Sequence, residues 1–154
     1  MSVTESVGTE LFIIDGSPKY PDAYTKSGFD ALAANSKKFE SIGEIVDAGE
    51  YTKEYNEVSY VDLKEGRTVK MKGSYNDGGR TIQLAYSKDD DGQKLLRKAH
   101  NENKRFGFKI VYPGDNSTDY FSAYVMSISK TVGGADGYLT MSVTLALDEG
   151  VVTV

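Results

Sequence analysis

A few clusters in the sequence combine residue types that could do chemistry. Asp89-Asp90-Asp91-Gly92 offers carboxylates to a hard cation such as calcium, but the alternating oxygen ligands and the terminal glutamate of a calcium loop are missing. The run is better placed to cap the helix that should follow it. His100 is the single histidine, so neither a histidine metal site nor a histidine-based catalytic triad can be built. Glu54 and Glu57 are close in sequence, yet nothing around them marks a cleft in which one could act as acid and the other as base. Asn116-Ser117-Thr118 fits the glycosylation pattern, which has meaning only in a secreted chain. Gly133-Gly134-Ala135-Asp136-Gly137 lacks the strand-to-helix setting of a phosphate loop and is expected to be a turn. No catalytic constellation, cofactor site or metal site is expected, and the chain does not look like an enzyme.

The elements that would position any site are mainly strands. Residues 105–112, 120–129 and 138–147 alternate, and turn-forming stretches separate them. In the last run Leu139, Met141, Val143, Leu145 and Leu147 make one apolar face, while Thr140, Ser142, Thr144 and Ala146 make a small, hydroxyl-rich one. The breaks are too short for helical crossovers, so an antiparallel meander is expected. Residues 9–14 and 38–47 are further strands, the latter with a bulge at Gly43 that absorbs a slip in its alternation. Asn76-Asp77-Gly78-Gly79 is a strong hairpin signal between strands at 68–75 and 80–87. Behind the aspartates, Leu95, Leu96 and Ala99 share one helical stripe, which predicts a helix over about 91–101 flanking the sheet. Residues 1–8 read as an arm, 16–36 as a surface loop with at most one helical turn, and 148–154 as a tail.

Residues 49–66 are charged and tyrosine-rich, with only Val58, Val61 and Leu63 aliphatic. So long a polar insertion is uncommon unless it binds something, and tyrosine with charge suits an arm lying on a partner. The candidate contacts are Tyr51, Glu54, Tyr55, Glu57, Tyr60, Asp62, Lys64 and Arg67. The plainer reading is a solvated hairpin.

With 154 residues the chain is sized for one domain. The absence of cysteine rules out disulfides and thiolate metal sites, and no apolar run approaches a membrane span. No secretory signal is expected from its opening residues. The net charge of −5 disfavours a surface built to grip phosphates.

Taken in order, Ile42-Gly43-Glu44-Ile45, the polar arm, Lys72-Gly73-Ser74-Tyr75-Asn76-Asp77-Gly78-Gly79, Asp90-Asp91-Gly92-Gln93 before Leu95-Leu96, Phe108-Lys109-Ile110-Val111-Tyr112-Pro113, Phe121-Ser122-Ala123-Tyr124-Val125 and Gly150-Val151-Val152-Thr153-Val154 resemble the major tail tube proteins of lambda-type long-tailed bacteriophages. The resemblance covers the chain from Ile42 onward. The 16–36 loop is longer than the family pattern, and the immunoglobulin-like C-terminal domain of some relatives is not seen.

The resemblance implies a β-sandwich or barrel-like subunit with one flanking helix and a projecting arm at 48–67. It implies stacked, hexameric rings forming a virion tail tube, made in the host bacterial cytoplasm, through which DNA passes without specific binding. Tape-measure, tail terminator and baseplate proteins are the implied partners, with no membrane and no cofactor. A ring of six would carry roughly −30 charges, repelling DNA if they face the lumen. Thr140, Ser142 and Thr144 are the candidate lumen-facing residues. Two other readings compete: the tube protein of a contractile secretion system, similar in fold, and a monomeric β-sandwich that binds carbohydrate on its tyrosines.

Overall fold

The computed structural model describes residues 8–18, 20, 22–32, 38–113, 117–134 and 137–154. In chain order the elements are β1 (Glu10–Ile14), α1 (Lys26–Leu32), β2 (Glu40–Ile42), β3 (Ile45–Asp47), β4 (Glu54–Asp62), β5 (Arg67–Asn76), β6 (Gly79–Ala85), α2 (Asp91–Asn101), β7 (Phe106–Val111), β8 (Thr118–Thr131) and β9 (Thr140–Thr153). The chain is mainly β. The expected meander is present: β7, β8 and β9 are consecutive antiparallel neighbours.

They lie at the middle of a seven-stranded sheet ordered β2-β1-β7-β8-β9-β6-β3. Its two outermost strands, β2 and β3, are joined in sequence only by Gly43 and Glu44. Two residues cannot span a flat sheet of that width. The sheet therefore curls until its edges converge at Gly43, a barrel-like closure that encloses one core. The expected bulge at Gly43 is instead this crossing, and Glu44 takes it with φ 61°, the only non-glycine residue at positive φ among the described residues. What looked like one strand slipping phase is two strands that pair with opposite sides of the sheet.

Alternation decides what fills the interior. Met141, Val143, Leu145 and Leu147 of β9 point inward and are buried, joined by Leu11 and Ile13 of β1, Ile82 and Leu84 of β6, and Phe106, Phe108 and Ile110 of β7. Phe121, Ala123 and Val125 complete it from β8, with the Phe108 and Phe121 rings stacked 5.2 Å apart. Helix α2 has the expected bounds and adds Leu96 and Ala99 to this core.

Asp90 is its N-cap, its carboxylate accepting from the Gln93 N–H at 3.0 Å and from the Gly43 N–H at 3.1 Å. The fully buried Gln93 amide donates to the Gly43 and Ala85 carbonyls and accepts from the Ser87 N–H. One capped helix turn thus pins the crossing that closes the sheet. At the same helix's other end, Lys98 and Lys104 each reach Asp15 at 2.7 Å. Burial alone would raise the Asp15 carboxyl, but the two ammonium groups outweigh it and hold it below the ordinary value.

Three expectations need correction. The 16–36 stretch is not only loop: α1 is a second helix, and its Phe29 packs with Tyr24 and Tyr120 on the outer side of β8. The Tyr24 hydroxyl fixes this cover, donating to the Gly150 carbonyl at 2.6 Å and accepting from the Ser122 N–H at 2.9 Å. Residues 148–153 are not a separate tail but the end of β9, which pairs Val151 with Phe121 and Thr153 with Asp119. Strand β5 does not pair with β6; it pairs with β4, and the two form a separate two-stranded sheet. The expected arm at residues 1–8 lies, except for Gly8, outside the described residues, as do Gly114, Asp115, Asn116, Ala135 and Asp136 of the predicted turns.

Candidate functional site: a projecting arm and a hydroxyl face

Strands β4 and β5 make the arm, which is longer than the sequence suggested and ends at Asn76 rather than near 67. Its turn is built from local chemistry. Asp62 accepts the Lys64 N–H on its side chain and the Gly66 N–H on its carbonyl, and Gly66 turns the chain at φ 67°. Pairing then runs Asp62↔Arg67, Tyr60↔Val69, Val58↔Met71 and Glu57↔Lys72, with an extra residue in β5 before Tyr55↔Tyr75.

Strand alternation gives the arm two unlike faces. One carries Val58, Tyr60, Val69 and Met71, with Asp62 and Arg67 toward the tip. The other carries Tyr55, Glu57, Ser59, Val61, Lys70, Lys72 and Tyr75. On this second face Lys72 Nζ lies 4.1 Å from the Tyr55 ring centre, Lys53 Nζ lies 4.2 Å from that of Tyr75, and Lys70 pairs with Glu57 at 3.6 Å. The polar face thus has partners within the chain, although its charged groups stay largely exposed.

The apolar face is exposed as well. Val58, Tyr60 and Met71 are 46%, 53% and 50% exposed, and Leu63 at the tip is 95% exposed. A two-stranded hairpin with no core of its own is marginal in water, and an exposed apolar patch on one marks a docking surface.

Of the candidate contacts, Glu54, Tyr55, Glu57, Tyr60, Asp62, Lys64 and Arg67 do lie on the arm, and all but the half-buried Asp62 are exposed. Tyr51 does not belong with them. It sits at the root, packed against the main core, its hydroxyl donating to Asp77 at 3.1 Å. Burial, with the Asp77 carboxylate beside it, pushes its pKa up to about 12. Next to it Arg80, itself buried, donates to the Ala48 carbonyl at 3.1 Å. These contacts tie the root of the arm to the body. Val69 and Met71 were missed because Asn76-Asp77-Gly78-Gly79 assigned their strand to the body. The signal that could have found them is Gly66, placed midway between two runs of similar alternation.

Thr140, Ser142 and Thr144 face away from the core on β9, as expected from their alternation with Met141 and Val143. Their cross-strand partners on one side are Ala85, Gln83 and Thr81 of β6, and on the other Thr131, Ser129 and Ser127 of β8. These nine residues thus present a face of hydroxyl, amide and methyl groups.

Among the described residues no cluster of His, Cys, Asp or Glu could hold a metal ion. A cleft of about 910 Å³ lies between β3 and the ends of β7 to β9. Its Asp119 is occupied by the Tyr112 and Thr153 hydroxyls, each at 2.8 Å. Burial first, and then Asp119, raises the Tyr112 phenol above its ordinary value. On the arm the Tyr55 and Tyr75 rings already carry lysines, while the Tyr60 ring is exposed.

The fold is shared with tube assemblies. The chain is similar to the SPP1 tail tube subunit (18% identity, TM-score 0.61, covering 94% of this chain and 75% of that one). It also resembles a component of the anti-feeding prophage baseplate, a six-fold symmetrised assembly (9%, TM-score 0.70, 100% and 97%). A third relative in fold belongs to the virion of a gene transfer agent (13%, TM-score 0.60, 93% and 95%). No curated protein sequence matches. The model of the lambda phage tail tube protein family matches residues 23–151, and the chain belongs to that family.

Proposed function

We propose that this protein is a structural component of a phage tail that polymerises with identical copies into stacked, hexameric rings, forming the conduit through which DNA leaves the virion. The observation that carries this reading is the arm: a hairpin whose apolar face is left exposed among the described residues. Burying Val58, Tyr60, Leu63 and Met71 against another copy removes that surface from water at about 25 cal/mol per Å². Family membership and the six-fold symmetry of the anti-feeding prophage baseplate support the ring. The match to the lambda family favours a phage tail over a contractile system, although a chain of an extracellular contractile injection system's sheath-tube complex has a similar fold.

The uncharged face around Thr140, Ser142 and Thr144 suits the lumen. It offers DNA no cation to bind, while the net charge of −5 per subunit supplies a weakly repelling field. The protein has no enzymatic role and needs no cofactor; tape-measure, terminator and baseplate proteins meet the tube along its bore and at its ends. Negative-stain microscopy of the purified protein across a concentration series tests the reading. Hollow tubes or rings are expected, and a chain that stays monomeric while binding oligosaccharides saturably overturns it.

A further inference from the structure

The two strands of the arm divide its charge by sign. β4 carries Glu54, Glu57 and Asp62 and no base; β5 carries Arg67, Lys70 and Lys72 and no acid. Each pairs only with the other, so each keeps one open backbone edge, acidic along β4 and basic along β5. The charges are not consumed inside the hairpin. The Glu57–Lys70 and Glu65–Arg67 pairs have side chains more than half exposed, and such pairs hold their partners weakly.

Two β5 edges repel each other, as do two β4 edges; only β5 of one copy against β4 of another brings opposite signs together. We infer that the arms of neighbouring copies join edge to edge in this way, extending the hairpins into one continuous antiparallel sheet. The inference rests on the self-assembly proposed above and says which surfaces meet. Because the contact joins two different patches, it cannot close on itself as a symmetric dimer, and it propagates in one direction until a ring closes.

The faces also limit the register. Directly opposed residues share a face, and a slip of one residue would turn Val58 and Tyr60 onto the side of the lysines. Repeating the internal register sets Glu57 against the neighbour's Lys72, Asp62 against its Arg67 and Val58 against its Met71. The apolar face then becomes an uninterrupted stripe around the ring.

A swapped arm tests this. Glu57→Lys, Asp62→Lys and Glu65→Lys combined with Arg67→Glu, Lys70→Glu and Lys72→Glu exchange the signs of the two edges and keep opposite charges within the hairpin. The swapped protein should form rings with itself but should not mix with the wild type, since every mixed contact opposes like charges. After dissociation and reassembly of a one-to-one mixture, native mass spectrometry of ring-sized species should show mixed rings at least about tenfold rarer than random mixing gives. Random mixing overturns the inference while leaving self-assembly standing; wild type that forms no rings overturns both. If circular dichroism shows that the full swap unfolds the arm, Glu57→Lys with Lys72→Glu repeats the mixing test, and again a random distribution overturns the inference.

Discussion

The body and the arm are built from the same kind of antiparallel pairing and differ in what lies behind it. Every central strand of the body backs onto Phe108, Phe121 and the aliphatic residues around them, and its polar crossing at Gly43 is closed by Asp90 and Gln93. The arm has pairing, a well-formed turn and a firm root, yet no core. Strand pairing without burial is weak, so the body is stable alone and the arm is completed by whatever it touches.

That contrast can be broken at the body first. Phe121→Ala removes a fully buried ring stacked on Phe108 and should cost about 3–5 kcal/mol, read from the urea midpoint of the monomer. Gln93→Leu keeps the volume but strands the Gly43 and Ala85 carbonyls and the Ser87 N–H; a loss of about 2–4 kcal/mol is expected by the same measurement. An unchanged midpoint in either variant would mean that the closure does not hold the body.

The root comes next. Because the folded-state pKa of Tyr51 is raised to about 12, its contribution is complete below the unfolded value of 10 and is lost as pH climbs toward 12. Stability of the wild type should therefore fall over that window, and Tyr51→Phe should flatten the fall. The smallest effect on folding is expected from the arm. Val58→Asp with Met71→Asp should move the monomer midpoint by no more than about 0.5 kcal/mol while abolishing polymerisation in sedimentation velocity runs. Equal damage to folding would erase the distinction between the two regions.

What could be read from residues alone follows the reach of the interactions. The faces of β9 were legible because alternation of Met141, Val143 and Leu145 is a local record of burial, and α2 because Asp90 caps it three residues from its first bond. The arm's boundary was not. Asn76-Asp77-Gly78-Gly79 has the same turn chemistry whether its flanking strands pair or part. They part here because the Gly78 carbonyl takes the Leu147 N–H and Asp77 takes Tyr51, contacts from elsewhere in the chain. The crossing at Gly43 was misread for a similar reason, since β2 and β3 owe their separation to β1 and β6. Helix α1 has only Phe29 buried, too sparse a stripe to announce itself. On the arm, tyrosines and charges were conspicuous, but the exposed Val58 and Met71 could be recognised as unsatisfied only once β4 and β5 were seen to stand apart from the sheet.

The most direct measurement replaces residues 54–76, both strands of the arm, with a short glycine linker between Lys53 and Asp77. Sedimentation and negative-stain microscopy are then compared with wild type at equal concentration. The expected result is a folded monomer with the wild-type urea midpoint and no tubes at any concentration at which the wild type forms them. Normal tubes from the armless chain would contradict the central claim.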